Sequence, residues 1–292
     1  MAEDQGGRVA VVTGAGNGLG AAFAKALGGS HRVVVNNRVH ADRPHSAVAV
    51  VERIEAAGGS AIVEGSAVDR EGAPEAIVAA ALEAFGRLDT LVLNAGVSGP
   101  ATKVGEGDTG LAEVMRINFF ANVALVEAAL PALRDSPAGR IVFVSSTGGL
   151  HGVRGRAAYS ASKGALNAWA LSLADELRRT AIRVNVIAPY AATNMTARPD
   201  RVPDKRLSPK GAADALVALC SPKWNRTGDI WVAGAGHVRP ARALEGPVAR
   251  VATLPEQADT LAGFERGTGF AGGEAAFADF YARVTQMEEQ KA

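Results

Sequence analysis

Short runs of β-branched and aliphatic residues recur along this chain, and each is followed by a longer alanine-rich stretch. The runs lie at 8–13, 32–37, 60–63, 90–93, 140–145, 183–187 and 229–232. They are almost continuously apolar, as strands covered on both faces must be. The stretches between them, 18–27, 46–57, 74–85, 111–134, 158–179 and 209–220, carry helix formers. Strand–helix repetition predicts an α/β fold: a Rossmann-like, doubly wound parallel sheet of about seven strands, helices on both faces and right-handed crossovers. The rhythm fails twice. Residues 190–208 carry prolines, arginines and lysines without a period, where a substrate lid could lie. After Gly234-Ala235-Gly236 a tail begins that contains an amphipathic helix at 274–288. We therefore expect a dinucleotide-binding catalytic part over 1–236 and a C-terminal extension over 237–292, packed on the same domain or on a neighbouring subunit.

Other classes are disfavoured. With 31 basic and 30 acidic residues the net charge is +1, which gives no electrostatic reason to expect nucleic acid or an acidic membrane as partner. The single cysteine, Cys220, forms no internal disulfide and suits a reducing compartment, so we expect a cytoplasmic protein. No apolar run reaches the roughly 20 residues that span a bilayer. The first eight residues do not resemble a signal peptide, and the last three are not a peroxisomal address. The histidines His31, His40, His45, His151 and His237 match no metal-ligand spacing, and no metal is expected.

The first strand runs into Thr13-Gly14-Ala15-Gly16-Asn17-Gly18-Leu19-Gly20. Glycines there allow a sharp turn and a close approach of backbone N–H groups to a pyrophosphate, with the next helix aiming its N-terminus at that anion. The second strand ends Asn36-Asn37-Arg38. A carboxylate at this place would accept from a ribose 2′-hydroxyl; neutral Asn37 followed by Arg38 instead favours a 2′-phosphate. NADP(H) is thus favoured, with NAD(H) possible. Asn94-Ala95-Gly96 closes the fourth strand, at the edge where open sheets bind ligands. Asn94 there suits both a strand tie and a cofactor wall.

Ser145-Ser146 ends the fifth strand, and Tyr159 and Lys163 follow four residues apart on a helix, one turn from each other on one face. Hydride transfer to a ketone needs a proton donor at the developing alkoxide. A tyrosine could serve if a nearby ammonium stabilised its phenolate.

These segments together resemble the short-chain dehydrogenase/reductase family. Thr13–Gly20 fits its Thr-Gly-x-x-x-Gly-x-Gly, Asn94-Ala95-Gly96 its Asn-Ala-Gly, and Tyr159–Lys163 its Tyr-x-x-x-Lys. The resemblance implies Tyr159 as acid/base, Lys163 as the residue that binds the nicotinamide ribose and lowers the tyrosine pKa, and Ser146 as the group orienting the substrate oxygen. It also implies that Asn118 holds a water through its backbone and relays protons to Lys163. Pro189, in the loop that meets the nicotinamide carboxamide, and Thr193 become cofactor contacts, as do Ser66, Ala67 and Val68 after the third strand. Where the family has a glycine after that proline, this chain has Tyr190.

A narrower resemblance is to the (3R)-hydroxyacyl-CoA dehydrogenase part of peroxisomal multifunctional β-oxidation enzymes, over about residues 8–250. It implies a 3-hydroxyacyl or 3-ketoacyl thioester, but Asn37 and the region of Ser66 depart from the pattern, and other hydroxy or keto compounds stay open. Family members form homodimers or homotetramers through their long helices, and the same is expected here. The stripe of Leu166, Trp169 and Leu173 is read as buried packing or a subunit face, Cys220 as core, His151 as a pocket-edge residue without chemistry, and Arg198, Arg201, Lys205 and Arg206 as a solvated loop or an anion-greeting one. The alternative function on the same fold is a non-catalytic dinucleotide sensor or scaffold.

Overall fold

The computed structural model describes residues 7–42, 44–192, 204–251, 257, 260–262, 266–270 and 272–289. The strands are β1 (Arg8–Val12), β2 (His31–Asn36), β3 (Ala61–Glu64), β4 (Thr90–Leu93), β5 (Arg140–Val144), β6 (Arg183–Pro189), β7 (Ile230–Gly234) and β8 (His237–Ala241). They form one sheet in the order β3-β2-β1-β4-β5-β6-β7-β8. The first seven pair in parallel. Strand order reverses direction between β1 and β4, and the carboxyl ends of these two strands open a crevice there.

The helices are α1 (Gly18–Leu27), α2 (Ser46–Ala56), α3 (Ala73–Phe85), α4 (Leu111–Met115), α5 (Ala121–Asp135), α6 (Gly148–His151), α7 (Ala157–Glu176), α8 (Pro209–Cys220) and α9 (Gly273–Glu289). On one face, α1, α2 and α8 bury Phe23, Leu27, Ile54 and Leu216 against the strands. Each such side chain contributes about 1.5–3 kcal/mol of hydrophobic stabilisation. On the other face α3 packs on α5, while α7 covers β5 and β6. Trp169 of α7 meets Phe143 of β5 edge-on at 5.7 Å, and Leu166 and Leu173 are buried beside it. Cys220 is buried in this core.

Three features depart from the sequence expectation. The sheet has an eighth strand. Ala235 and Gly236 form a two-residue turn with φ of 51° and 75°, and a link this short brings β8 back antiparallel to β7. Its His-Val-Arg-Pro-Ala sequence has no apolar alternation because it is an exposed edge, where Pro240 is tolerated. The helix expected over 111–134 is interrupted by a π-helical turn, Arg116–Phe120. That helix, Leu111–Asp135, is also long and apolar enough by composition to cross a membrane, contrary to the expectation that no run qualifies. Its apolar residues instead serve the core, with Val114, Ile117, Leu125, Val126, Ala129 and Leu133 buried.

At the amino ends of the strands, Asp89 is fully buried and accepts from Val9 N, Arg87 Nη2 and Ser136 Oγ at 2.9, 2.8 and 2.6 Å. Burial alone would raise its pKa, but these bonds and the Arg87 charge outweigh it and hold the carboxyl below its ordinary value.

The chain divides into two compact units, Met1–Pro240 and Ala241–Ala292. Within the second, Glu245 and Thr268 exchange backbone bonds at 3.0 Å, and Arg250 donates to Met287 O of α9 at 3.1 Å.

Candidate active site

The glycine-rich turn is shaped by close approach. A Cβ on Gly14, whose φ is +61°, would stand 2.9 Å from Ala95 Cα, and one on Gly20 would stand 2.3 Å from Gly14 O. The turn thus lies against the end of β4, and Thr13 and Asn94 lock the two. Thr13 Oγ1 accepts from Asn94 N and Ala95 N at 3.0 Å each, and Asn94 Nδ2 donates to Thr13 O at 2.9 Å. Asn94 therefore ties β1 to β4 while walling the crevice. The first turn of α1 has no side-chain cap and no acid, so its N–H groups suit an anion.

A cleft of about 600 Å³ opens here. Thirteen expected cofactor residues line it: Gly14, Asn17, Gly18, Leu19, Gly20, Asn37, Arg38, Ser66, Ala67, Val68, Asn94, Ala95 and Gly96. Asn36, His40, Ser46, Asp69, Val97 and Ile117 also line it and were missed. The local signal for Ser46 is its place at the start of α2, where its Oγ accepts from Asn37 Nδ2 at 3.0 Å. Asn36 Oδ1 is buried and has no hydrogen-bond partner among the described residues. The cleft's polar lining, tight backbone turn and uncapped helix fit a dinucleotide. A second recess of about 680 Å³ shares Arg38, His40, Ala67 and Asp69 with it and adds Arg70 and Arg116. Arg116 is ion-paired with Asp69.

At the inner end of the cleft Gly96 leads to the chemical groups. A Cβ on Gly96 would lie 3.0 Å from Asn118 Oδ1 and 3.6 Å from Lys163 Nζ. Lys163 is buried, and its Nζ donates to Val144 O at 2.8 Å. Burial brings its ammonium down to about 8. Nζ stands 5.8 Å from the centroid of the Tyr159 ring. Ser146, at the end of β5, is near enough to act on the Tyr159 phenol. Ser145 instead turns inward and donates to Lys163 O at 3.2 Å, so the two adjacent serines have separate tasks.

Burial raises the Tyr159 pKa above its ordinary value; the Ser146 hydroxyl and the Arg156 guanidinium pull it back in part. The Lys163 ammonium lies over the ring face and donates to Val144 O.

Asn118 sits in the π turn. Its side chain is fully occupied: Oδ1 accepts from Val97 N at 2.8 Å, and Nδ2 donates to Val97 O at 2.9 Å and Ser162 Oγ at 3.0 Å. Its backbone carbonyl accepts from Asn122 Nδ2 at 2.6 Å. Asn122 was missed, although a buried asparagine in an apolar helix one turn after Asn118 was a visible signal.

Pro189 ends β6, half-buried, and Tyr190 N donates to Ala233 O at 2.7 Å. Thr193, Arg198 and Arg201 lie outside the described residues. His151 is exposed at the end of α6. Among the described residues no group of three or more His, Cys, Asp or Glu could hold a metal.

Comparison with known proteins identifies the family. Residues 8–202 match the model of the short chain dehydrogenase family. Peroxisomal multifunctional enzyme A of Dictyostelium discoideum is 34% identical over 251 residues, 80% of this chain and 54% of that protein, so the chain spans about half its length. A crystal structure of a short chain dehydrogenase from Mycobacterium avium has a TM-score of 0.77 at 32% identity, covering 91% of this chain and 98% of that one. The actinorhodin polyketide ketoreductase crystallised with NADPH has a TM-score of 0.70 at 29% identity, covering 80% and 97%.

Proposed function

Because this chain belongs to the short-chain dehydrogenase family of oxidoreductases, we propose that it interconverts a secondary alcohol and a ketone with NADP(H) in preference to NAD(H), using Ser146, Tyr159, Lys163 and Asn118. The observation that carries this reading is buried Lys163 beside Gly96 where the cleft ends, with its Nζ 5.8 Å from the centroid of the Tyr159 ring.

The nicotinamide, when bound, gives or takes the hydride at the carbinol carbon. The protein handles the proton. In reduction, Tyr159 Oη donates to the ketone oxygen as charge develops there, and Ser146 Oγ holds that oxygen in place. In oxidation the proton returns to Tyr159. Lys163, charged below about pH 8, binds the ribose hydroxyls and anchors the far side of the tyrosine ring. The Asn118 backbone relays the proton that reloads this pair. The glycine turn and α1 would receive the pyrophosphate, Ser66, Ala67 and Val68 would border the adenine, and Pro189 would border the nicotinamide carboxamide; Thr193, expected as a phosphate contact, lies outside the described residues. Arg38, exposed at the rim shared by the two recesses, meets a 2′-phosphate.

For substrate we favour a 3-hydroxyacyl or 3-ketoacyl thioester over other hydroxy and keto compounds; the 34% identity to a multifunctional peroxisomal enzyme supports it. Residues 1–236 carry the reaction, 237–292 are the extension, and the protein works as a cytoplasmic homodimer or homotetramer. The test is NADPH consumption with a 3-ketoacyl-CoA and a panel of ketones, repeated with Tyr159→Phe. That variant should lose most turnover while cofactor affinity stays within a few-fold. Near-normal kcat would refute Tyr159 as the acid/base.

A further inference from the structure

The end of β2 is fastened to the start of α2. Asn37 follows β2, and Ser46 opens α2. Asn37 Nδ2 donates to Ser46 Oγ at 3.0 Å, and His45 Nε2 donates to the Asn37 carbonyl. The glycine turn lies directly on this pair. A Cβ on Gly16 would overlap Ser46 Oγ and stand 2.7 Å from Asn37 Nδ2. Asn37, Arg38 and Ser46 all line the cofactor cleft; the first and last are half-buried, whereas Arg38 is exposed.

The end of the second strand is where dinucleotide sites meet the adenosine ribose. A carboxylate there only accepts, so it suits a 2′-hydroxyl and repels a 2′-phosphate. An amide carries an acceptor on one arm and donors on the other. Here Nδ2 is committed to Ser46, and Oδ1 has no partner among the described residues. That oxygen can accept from a 2′-hydroxyl without bringing a charge. Turning the amide by about 180° exchanges its arms, and the torsion is soft because it joins sp³ and sp² carbons. Ser46 can follow the turn. Its hydroxyl accepts from Nδ2 in one orientation and donates to Oδ1 in the other. The bond given up, from Nδ2 to Arg38 O, is long at 3.4 Å. With the amide turned, Nδ2 becomes a donor suited to a phosphate oxygen.

We propose that Asn37 and Ser46 form a reversible pair that reads the adenosine 2′-position of both cofactors: the amide oxygen meets the hydroxyl of NAD(H), and the turned amide nitrogen meets the phosphate of NADP(H). Asn37 touches the cofactor, and Ser46 is the positioning residue that holds the amide in either sense. Arg38 sets the preference for NADP(H), and the pair keeps NAD(H) usable. The proposal rests on the reading of the cleft as a nicotinamide dinucleotide site, and its test measures binding alone.

Three ligands are titrated into the full-length protein by calorimetry: NAD+, NADP+, and NAD+ lacking the adenosine 2′-hydroxyl. Asn37→Leu should weaken NAD+ and NADP+ about fivefold each, the scale of one neutral hydrogen bond. Ser46→Ala should weaken both about two- to fivefold. The deoxy ligand, which offers nothing to read, should bind both variants as it binds wild type. Should Asn37→Leu fail to fold, Asn37→Ala replaces it. Loss on only one of the two natural cofactors overturns the proposal, because the amide would then have one fixed direction. An equal loss on the deoxy ligand also overturns it and leaves the pair a structural clasp, as does no loss on any ligand. If wild type binds none of the three, the proposal falls together with the cofactor reading. Absence of turnover on every ketone, with these affinities as expected, would remove the catalytic reading and leave the pair standing.

Discussion

Gly149→Ala should cripple this enzyme from a position that touches no substrate. A Cβ on Gly149 would lie 2.6 Å from the carbonyl carbon of Lys163, 2.8 Å from Lys163 Cβ and 2.8 Å from Lys163 O. Two of these three are backbone atoms and cannot swing aside. Reaching even the 3.4 Å limit of ordinary contact requires α6 and α7 to part by about 0.8 Å at that point. The displaced atoms belong to the residue whose Nζ must stay near Gly96 and whose carbonyl accepts from Ser145 at 3.2 Å. The only bond drawn from Gly149 O to α7, from Asn167 Nδ2, is already long at 3.3 Å and resists little. A misplacement near 1 Å costs about 100-fold in rate, and overpacking costs about 1–3 kcal/mol in stability. We expect kcat/KM for ketone reduction to fall about 100-fold, with a stability loss in that range by urea unfolding. Gly164→Ala is the control. Its Cβ would sit 3.5 Å from Gly149 O, an ordinary contact, in the interior of α7, so stability should hold or rise by up to about 1 kcal/mol. Wild-type kcat/KM and stability in Gly149→Ala would refute the reasoning, because the helices would then have absorbed the shift without moving Lys163.

Arg38→Ala should weaken NADP(H) about tenfold, the scale of one charge-assisted bond, and leave NAD(H) nearly unchanged; dissociation constants from cofactor fluorescence would decide, and equal losses for both would exclude a 2′-phosphate contact. His31 gives a pH test of stability. It is buried between Ser30 and Thr90, and burial first, then the Arg8 charge, bring its pKa from 6.5 to about 4. The folded state therefore keeps the ring neutral while the unfolded chain takes up a proton below 6.5. Stability is fully present above 6.5 and falls by about 3 kcal/mol as pH drops through 4. His31→Gln should flatten that slope in urea unfolding at a series of pH values, and an unchanged slope would show that other groups set it.

The sheet and its switch point were legible because they rest on local rules. Buried parallel strands need uninterrupted apolar runs, and Val9–Val12, Val33–Val35 and Ile141–Val144 supply them whatever their neighbours do. The glycine turn was readable because a short link between strand and helix tolerates few residue types. The spacing of Tyr159 and Lys163 was readable because helical periodicity is fixed by backbone geometry. Such features need no knowledge of distant residues.

What tertiary structure decided are the contacts made across long sequence separations. Nothing local announces that Arg156 reaches Gly99, that Arg116 pairs with Asp69, or that Gly149 is seated on the backbone of Lys163. The edge strand β8 was hidden for a related reason, since it is defined by hydrogen bonds to β7 and not by its own side chains. The electrostatic balance at Tyr159 shows the division most clearly. Sequence spacing brought an ammonium within a turn of the phenol, but burial and the direction of that ammonium toward Val144 are properties of the packed interior. They set how far the phenol is removed from water and what Lys163 Nζ touches.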